Sequence, residues 1–170
     1  KRTAVQLGFL EQKESRMIKP ALSRFKKINV TPRRHLKEFL QEEGEELKPG
    51  DTVTVKMFEG VSHVDVSATT KGQGFQGVVK RYKMAGGPAA HGHTSHRRIG
   101  AIGQRAKTSR VARGHRMPGH MGNVNVTIQN LRVVEVREPQ NLLLVHGAVP
   151  GPTGSVVYVR KALKKKSKPK

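Results

Sequence analysis

The stretch that decides the fold class is residues 131–159, LRVVEVREPQNLLLVHGAVPGPTGSVVYV. It predicts three successive strands at residues 131–136, 142–145 and 156–159, because turn-forming EPQN and PGPTG separate its apolar and β-branched runs. Further strands are predicted on the same grounds at residues 4–9, 52–58, 64–70 and 124–128. Many short strands with such turns indicate a mainly β protein, built as an antiparallel barrel or sandwich.

Residues 31–43 allow two interpretations. Thr31 is suited to cap a helix with Pro32 at its first position, and Leu36, Phe39 and Leu40 then share one helical face. The alternative is a strand at residues 36–40 that ends at an acidic turn. The sequence leaves both open.

The charge of the chain indicates its partner. The 170 residues carry 33 Lys and Arg against 12 Asp and Glu, a net charge of +21, which a polyanion would neutralise. Residues 66–134 contain 12 of these cations and no acid. RNA, DNA and an anionic membrane are the candidates, and membrane falls away because no apolar run approaches the ~20 residues of a spanning helix. The absence of cysteine excludes disulfides and thiolate metal sites.

Residues 86–122 have neither helical nor strand periodicity. They are rich in glycine and contain few large apolar residues, so they cannot bury enough surface to offset their ordering entropy. Irregular segments of this length inside a domain are uncommon and usually functional. We therefore predict an extended basic loop that RNA orders.

Residues 72–79, GQGFQGVV, fit the glycine pattern of dinucleotide-binding and kinase phosphate loops. Such a site needs a helix that begins at the glycines, and an acid about 20 residues further on. Residues 78–84 are short, β-branched at the start and soon interrupted by Gly86-Gly87, while Arg97-Arg98 stands near the expected acid. We predict that the glycines bind no nucleotide and let the backbone closely approach another one, expected to be RNA.

The histidines at 91, 93, 96, 115 and 120 suggest a metal site at first sight. No cysteine or local carboxylate completes a four-ligand zinc site, and the neighbouring arginines disfavour a dication. Histidines that stack on bases or bind phosphates are one alternative, and solvated loop histidines are the other. Catalysis is not expected, because the acid-free centre lacks paired carboxylates and Ser95 beside His96 has no third group to orient it.

Several long motifs resemble a known family. They are residues 65–81 (DVSATTKGQGFQGVVKR), 95–97 (SHR), 100–104 (GAIGQ), 116–123 (RMPGHMGN) and 141–151 (NLLLVHGAVPG). In this order they closely resemble the third large-subunit ribosomal protein, a universal family, in its bacterial form. Gln73 departs from the basic residue usual there, which puts a phosphate contact at this position in doubt. The family's opening segment, with a G-M-T motif and the first barrel strands, is also missing, so we expect a truncated chain or a numbering that starts inside the protein.

The resemblance implies an antiparallel, six-stranded-type β-barrel like those of translation factors, at the surface of the subunit. It implies that a glycine-rich extension reaches through rRNA toward the peptidyl-transferase centre without performing chemistry, and that the protein helps assemble the subunit. Gln104 matches a glutamine that some members carry as an N5-methyl derivative. The implied partners are large-subunit rRNA and neighbouring ribosomal proteins, with no cofactor, metal, small-molecule substrate or membrane. The implied location is the cytoplasmic ribosome, with an organellar ribosome left open.

The expected organisation has four parts. Residues 1–70 begin the β-domain, 71–123 form the rRNA-penetrating extension, 124–162 complete the β-domain, and 163–170 are a basic tail, either solvated or bound to RNA. A DNA-binding protein and a β-barrel enzyme are the rivals, but neither a groove-binding helix nor a catalytic constellation is apparent. The predicted RNA-binding residues are Lys71, Lys80, Arg81, Lys83, His91, His93, His96, Arg97, Arg98, Gln104, Arg105, Lys107, Arg110, Arg113, Arg116 and His120.

Overall fold

Two groups of strands make up the chain in this computed structural model, which describes residues 4–41, 47–104 and 109–165. Residues 1–54 form one unit and residues 55–170 form a second, larger one. Both are built on antiparallel strand pairing, which confirms the mainly β fold class. Among the helices described, none has the length and apolar character needed to cross a membrane.

The first unit is a two-stranded hairpin interrupted by a helical connection. Strands β1 (Ala4–Glu11) and β2 (Arg33–Leu40) pair along their length, which confirms the strand predicted at residues 4–9. A 3-10 turn (Glu14–Arg16) and helix α1 (Lys19–Lys27) lie between them. The sequence did not predict α1, because Ile18 at its N-cap provides no side-chain hydrogen bond and its first turn contains no acid.

The ambiguous residues 31–43 form strand β2 in their described part, so the helical interpretation is wrong. Pairing with β1 gives every residue of 33–40 except Arg34 a partner in the ladder. An isolated capped helix of this length would be marginal, because helix formation has a costly nucleus. Tertiary pairing therefore overrides the capping pattern of Thr31 and Pro32. Residues 42 and 43 lie outside the described part.

The second unit is organised by a four-stranded antiparallel sheet with the order β7-β6-β3-β8. Its strands are β3 (His63–Thr69), β6 (Asn125–Arg137), β7 (Leu142–His146) and β8 (Val157–Lys161). The sheet buries Phe58, Val64, Val66 and Leu131 as its core. Strands β7 and β8 lie at opposite edges, so this sheet, as described, is open and is not a closed barrel.

The strand predictions in this unit were largely right, with two corrections. Residues 52–58 do not form a strand, because Val55–Phe58 is a 3-10 turn that inserts Phe58 into the core. The strands predicted at 124–128 and 131–136 are one continuous strand, β6, with an irregularity at Asn130 (φ 59°). The strand predicted at residues 156–159 is confirmed as β8, which pairs with β3 and not with β7.

A small ribbon stands apart from the four-stranded sheet. Strands β4 (Gly74–Gln76) and β5 (Gly119–Met121) pair antiparallel, and the short helix α2 (Val78–Tyr82) follows β4. A helix does therefore begin at the glycine motif, but it has five residues and ends at Lys83 in the left-handed conformation (φ 57°). The described residues between 83 and 118 form neither helix nor strand.

Candidate nucleic-acid interface

The ribbon fixes both ends of the basic segment, which we define as residues 71–123. The Gln73 amide donates to the Met121 carbonyl at 2.9 Å, and the Thr70 amide donates to the Val124 carbonyl at 3.0 Å. Gly122 has a φ of 75°, and a Cβ at this position would overlap the Lys71 carbonyl oxygen. Only glycine fits this crossing. The close backbone approach in this region is therefore one between Gly122 and residues 71–73 of the same chain.

Beyond the ribbon, arginines and a tyrosine form an ordered cluster. The Arg81 guanidinium donates to the Met117 carbonyl at 2.7 Å, and its Cζ lies 5.0 Å from the centre of the Tyr82 ring. The Arg116 Cζ lies 5.6 Å from the same ring. A Cβ on Gly119 would come within 2.6 Å of an Arg81 nitrogen, so glycine leaves the space that Arg81 occupies. Cation–π contact with one ring holds two positive charges in fixed positions.

The loop at residues 86–96, which contains His91, His93 and His96, folds back on itself through hydrogen bonds. The Gly87 amide donates to the His96 carbonyl at 2.6 Å, and the Ser95 amide donates to Nδ1 of His93 at 3.3 Å. The rings of His93 and His96 meet edge to face with their centres 6.4 Å apart. His91 is exposed with a φ of 61°. In the part of the chain that the structure describes, no group of three acids and histidines is arranged to hold a metal ion.

The remaining predicted RNA-binding residues are exposed on the same segment. These are Lys71, Lys80, Lys83, Arg97, Arg98, Gln104, Arg110, Arg113 and His120. Arg105 and Lys107 lie outside the described residues. The structure brings Arg81 and Arg116 together at Tyr82, and His93 and His96 together in the loop. It does not bring the fourteen described members of the predicted set into one cluster.

Ion pairs with acids are made by cations outside the basic segment. Lys26, Arg33, Lys56 and Arg160 each lie within 3.6 Å of a glutamate or aspartate oxygen. No ion pair among the described residues involves a lysine or arginine of residues 71–116. These charges therefore remain available to an external anion.

The carboxyl groups with shifted pKa values lie outside the basic segment. The hydrogen bond from Arg137, 2.9 Å long, lowers the pKa of Glu135. A hydrogen bond between Glu59 and Glu138 raises the pKa of Glu59 and lowers that of Glu138, which also faces Lys56. Glu135 and Arg137 lie at the end of β6, Glu138 follows that strand directly, and Glu59 follows the 3-10 turn at Val55–Phe58.

Two aromatic residues of the basic segment were missed by a prediction that considered only charged, histidine and glutamine residues. Tyr82 contacts two guanidinium groups, and Phe75 on β4 is 77% exposed. A sequence signal for Phe75 was present, since an aromatic residue between Gly74 and the polar Gln76 has few apolar neighbours to bury it. The pairing of Phe75 with His120 across the ribbon had no such signal, because 45 positions separate them and only the register joins them.

A mainly β scaffold that presents a cationic segment, without acid partners among the described residues, is typical of nucleic-acid-binding proteins. The family described as "Ribosomal protein L3" matches residues 37–142. The large ribosomal subunit protein uL3 of Brachyspira hyodysenteriae is 43% identical over 168 residues, covering 99% of this chain and 77% of that relative. The corresponding protein of Brachyspira pilosicoli is 43% identical over 98% of this chain and 77% of its own length. That of Fervidobacterium nodosum is 45% identical over 95% of this chain and 78% of its own length.

The chain belongs to this ribosomal protein family. It is accordingly a structural constituent of the large ribosomal subunit and not an enzyme, and its place is the bacterial-type ribosome of the cytoplasm. The resemblance drawn from the sequence motifs is confirmed.

Proposed function

We propose that the chain binds large-subunit rRNA directly, chiefly through the basic segment, and thereby helps to assemble the subunit. The observation that carries this proposal is the set of exposed cations in residues 71–116 that have no acid partner among the described residues. Arginine predominates there, which suits bidentate contacts to phosphate. Small residues between the cations let the segment fill crevices between RNA strands.

The proposal assigns a role to each part of the chain. The β-strands form the scaffold, residues 71–123 enter the rRNA and support the region of the peptidyl-transferase centre, and residues 163–170 add lysines as point charges. Gln104 is exposed and follows Gly103, so it is accessible to a methyltransferase before assembly. Neighbouring ribosomal proteins are the further partners.

The scaffold is proposed to be part of a β-barrel. The edge strands β7 and β8 expose Leu142, Leu144 and Val157, each by more than a third of its surface. Edge strands with exposed apolar side chains offer unpaired backbone groups to further strands. Additional strands at these edges would continue the sheet toward closure.

Salt dependence tests the proposed RNA contact. Binding of the full chain to large-subunit rRNA is measured at increasing salt, in parallel with sedimentation of a cell lysate in high salt. If ten phosphates are neutralised, the log–log slope of affinity against salt is expected to be roughly −7 to −9. If the chain sediments with free protein, or with DNA and apart from large subunits, the proposal is contradicted.

A pair of matched variants assigns the contacts. Arg110→Gln removes an exposed cation of the basic segment and is expected to reduce the slope by about 1. Arg33→Gln is the control, because this cation already lies 3.3 Å from Glu11 in the first unit. Equal slopes for both variants would place the RNA contact elsewhere on the chain.

A further inference from the structure

One face of the ribbon presents two rings side by side. Phe75 on β4 stands directly opposite His120 on β5. Directly opposed residues of an antiparallel pair lie on the same face, with Cβ atoms about 5 Å apart. Phe75 is 77% exposed, more than any other large apolar side chain among the described residues, and His120 is exposed too. Together they form a small aromatic surface open to solvent.

The backbone beneath these rings is held in place on both strands. Gly74 enters β4 with a φ of 67°, and Gly122 leaves β5 with a φ of 75° pressed against the Lys71 carbonyl. The Gln73 amide closes the end of the ribbon by donating to Met121. A ring on such a support has only its own two side-chain angles to fix when a ligand binds, so the entropic cost of ordering it is low.

The positive charge of the surrounding sequence favours an anionic ligand. The nearest acids along the chain are Asp65 and Glu135, and 12 lysines and arginines lie between them. Lys71 adjoins the ribbon and is exposed. Arg81 occupies the space at the Gly119 Cβ position. That position lies on the face opposite to Phe75 and His120, because successive residues of a strand point to opposite faces. An aromatic surface on an acid-free cationic segment matches a nucleotide, with its base on the ring and its phosphate on a cation of the same segment such as Lys71. A duplex keeps its bases stacked inside, so the matching ligand is unpaired.

We propose that Phe75 and His120 form a platform on which one unpaired base of RNA stacks. This proposal rests on the proposed RNA-binding function and adds a readout to it. Phosphate contacts by lysine and arginine do not distinguish paired from unpaired RNA, because both present phosphates. A stacking platform restricts this part of the interface to a loop, bulge or end of the RNA.

A single-tryptophan variant tests the platform directly. The chain contains no tryptophan, so Phe75→Trp introduces the sole indole reporter in place of an exposed ring. The full-length variant is titrated with a short single-stranded oligoribonucleotide and, separately, with inorganic polyphosphate. Stacking is expected to quench the tryptophan fluorescence with the oligoribonucleotide. Polyphosphate is expected to bind through the cations and leave the emission nearly unchanged, because it has no bases.

Affinity measurements supply a second readout. Phe75→Leu keeps an apolar side chain but removes the ring, and we expect it to weaken single-stranded RNA binding by roughly 5- to 100-fold. Its affinity for polyphosphate is expected to stay unchanged. Phe9→Leu is the matched control, since Phe9 is also an exposed phenylalanine, 57% accessible, in the first unit. Circular dichroism of both variants checks that the fold is retained.

The outcomes separate this proposal from the broader one. Undiminished RNA binding by Phe75→Leu, or equal quenching by polyphosphate and RNA, would overturn the platform and leave the rRNA contact intact. Failure of the wild-type chain to bind rRNA would overturn both. In assembled large subunits, a photoreactive phenylalanine at position 75 is expected to cross-link to rRNA. A cross-link to a neighbouring protein instead would show that an apolar side chain occupies the platform.

Discussion

A single buried carboxylate joins three parts of the second unit. Asp65 is 1% exposed, and its oxygens accept the Asn130 amide at 2.9 Å and the Leu163 amide at 3.4 Å, with Arg160 3.6 Å away. Asp65→Ala leaves these donors without their acceptor, so we expect unfolding to become easier by about 2–3 kcal/mol. Urea denaturation followed by circular dichroism measures this loss.

The control for Asp65 distinguishes charge from shape. Asp65→Asn keeps an oxygen that can accept the Asn130 amide, so its cost should be smaller than that of alanine. Asp51→Ala removes an exposed acid of the first unit that accepts the Lys48 amide at 2.8 Å, and its effect should be smaller, at most about 1 kcal/mol, because water can satisfy that amide. A loss as small for Asp65→Ala as for Asp51→Ala would show that the buried hydrogen bonds contribute little.

At the residue scale, the exposed charges were predictable from the sequence, whereas the contacts between residues distant in the chain were not. The acid-free stretch and the exposed cations of the basic segment follow from composition, because charged side chains are rarely buried without a partner. The burial of Asp65 was not predictable, since its donors at Asn130 and Leu163 are 65 and 98 residues away. The Phe75–His120 pair was hidden for the same reason.

At the scale of strands and helices, pairing with distant strands overrode some of the local sequence patterns. Alternating residues predicted β3, β7 and β8 to within two residues at each end, because each strand buries one face against the same core. The cap-like Thr31-Pro32 was outweighed by the partner strand β1, which no local window contains. The apolar run at residues 52–58 became a turn, since the Val55 amide donates to the Asn141 side chain at 3.0 Å instead of joining a ladder.

The turns beside β6 and β7 contain a pH-sensitive carboxyl pair, Glu59 and Glu138. The pKa of Glu59 is raised by its hydrogen bond to Glu138, so its contribution to stability is present at low pH and lost as the pH rises through that pKa. The pKa of Glu138 is lowered by the same hydrogen bond and by Lys56, so its contribution is lost as the pH falls. Glu59→Gln is expected to raise Tm at neutral pH, because it removes a repulsion while keeping a donor.

Melting curves across the acid range check this sign. The advantage of Glu59→Gln should shrink as the pH approaches the ordinary pKa of glutamate, where the wild-type Glu59 is protonated. Glu38→Gln, on the exposed face of β2, removes the same charge without such a pair and serves as the control. A Tm difference that does not change with pH would contradict the shared hydrogen bond.

At the scale of the whole molecule, the hydrophobic core of the sheet and most of the central cations lie in different parts of the sequence. Phe58, Val64, Val66 and Leu131 all lie outside residues 83–116, whereas eight of the 12 central cations lie within them. Stability and RNA affinity should therefore respond independently. Replacing residues 83–116 by a short Gly-Ser linker retains the ribbon, α2 and the Arg81–Met117 contact. We expect the sheet to keep its urea midpoint within experimental error, because no core contact is removed.

RNA binding by the same variant should behave in the opposite way. The loss of eight cations is expected to flatten the salt dependence by roughly 6 to 7 in slope if each contacts a phosphate. Substituting the same eight cations by glutamine in the full-length chain is the matched control, because it removes the charge and keeps the segment. Both variants should lose affinity alike if charge dominates. A sheet that unfolds only when the segment is replaced would show that residues 83–116 support the core and are not an extension from it.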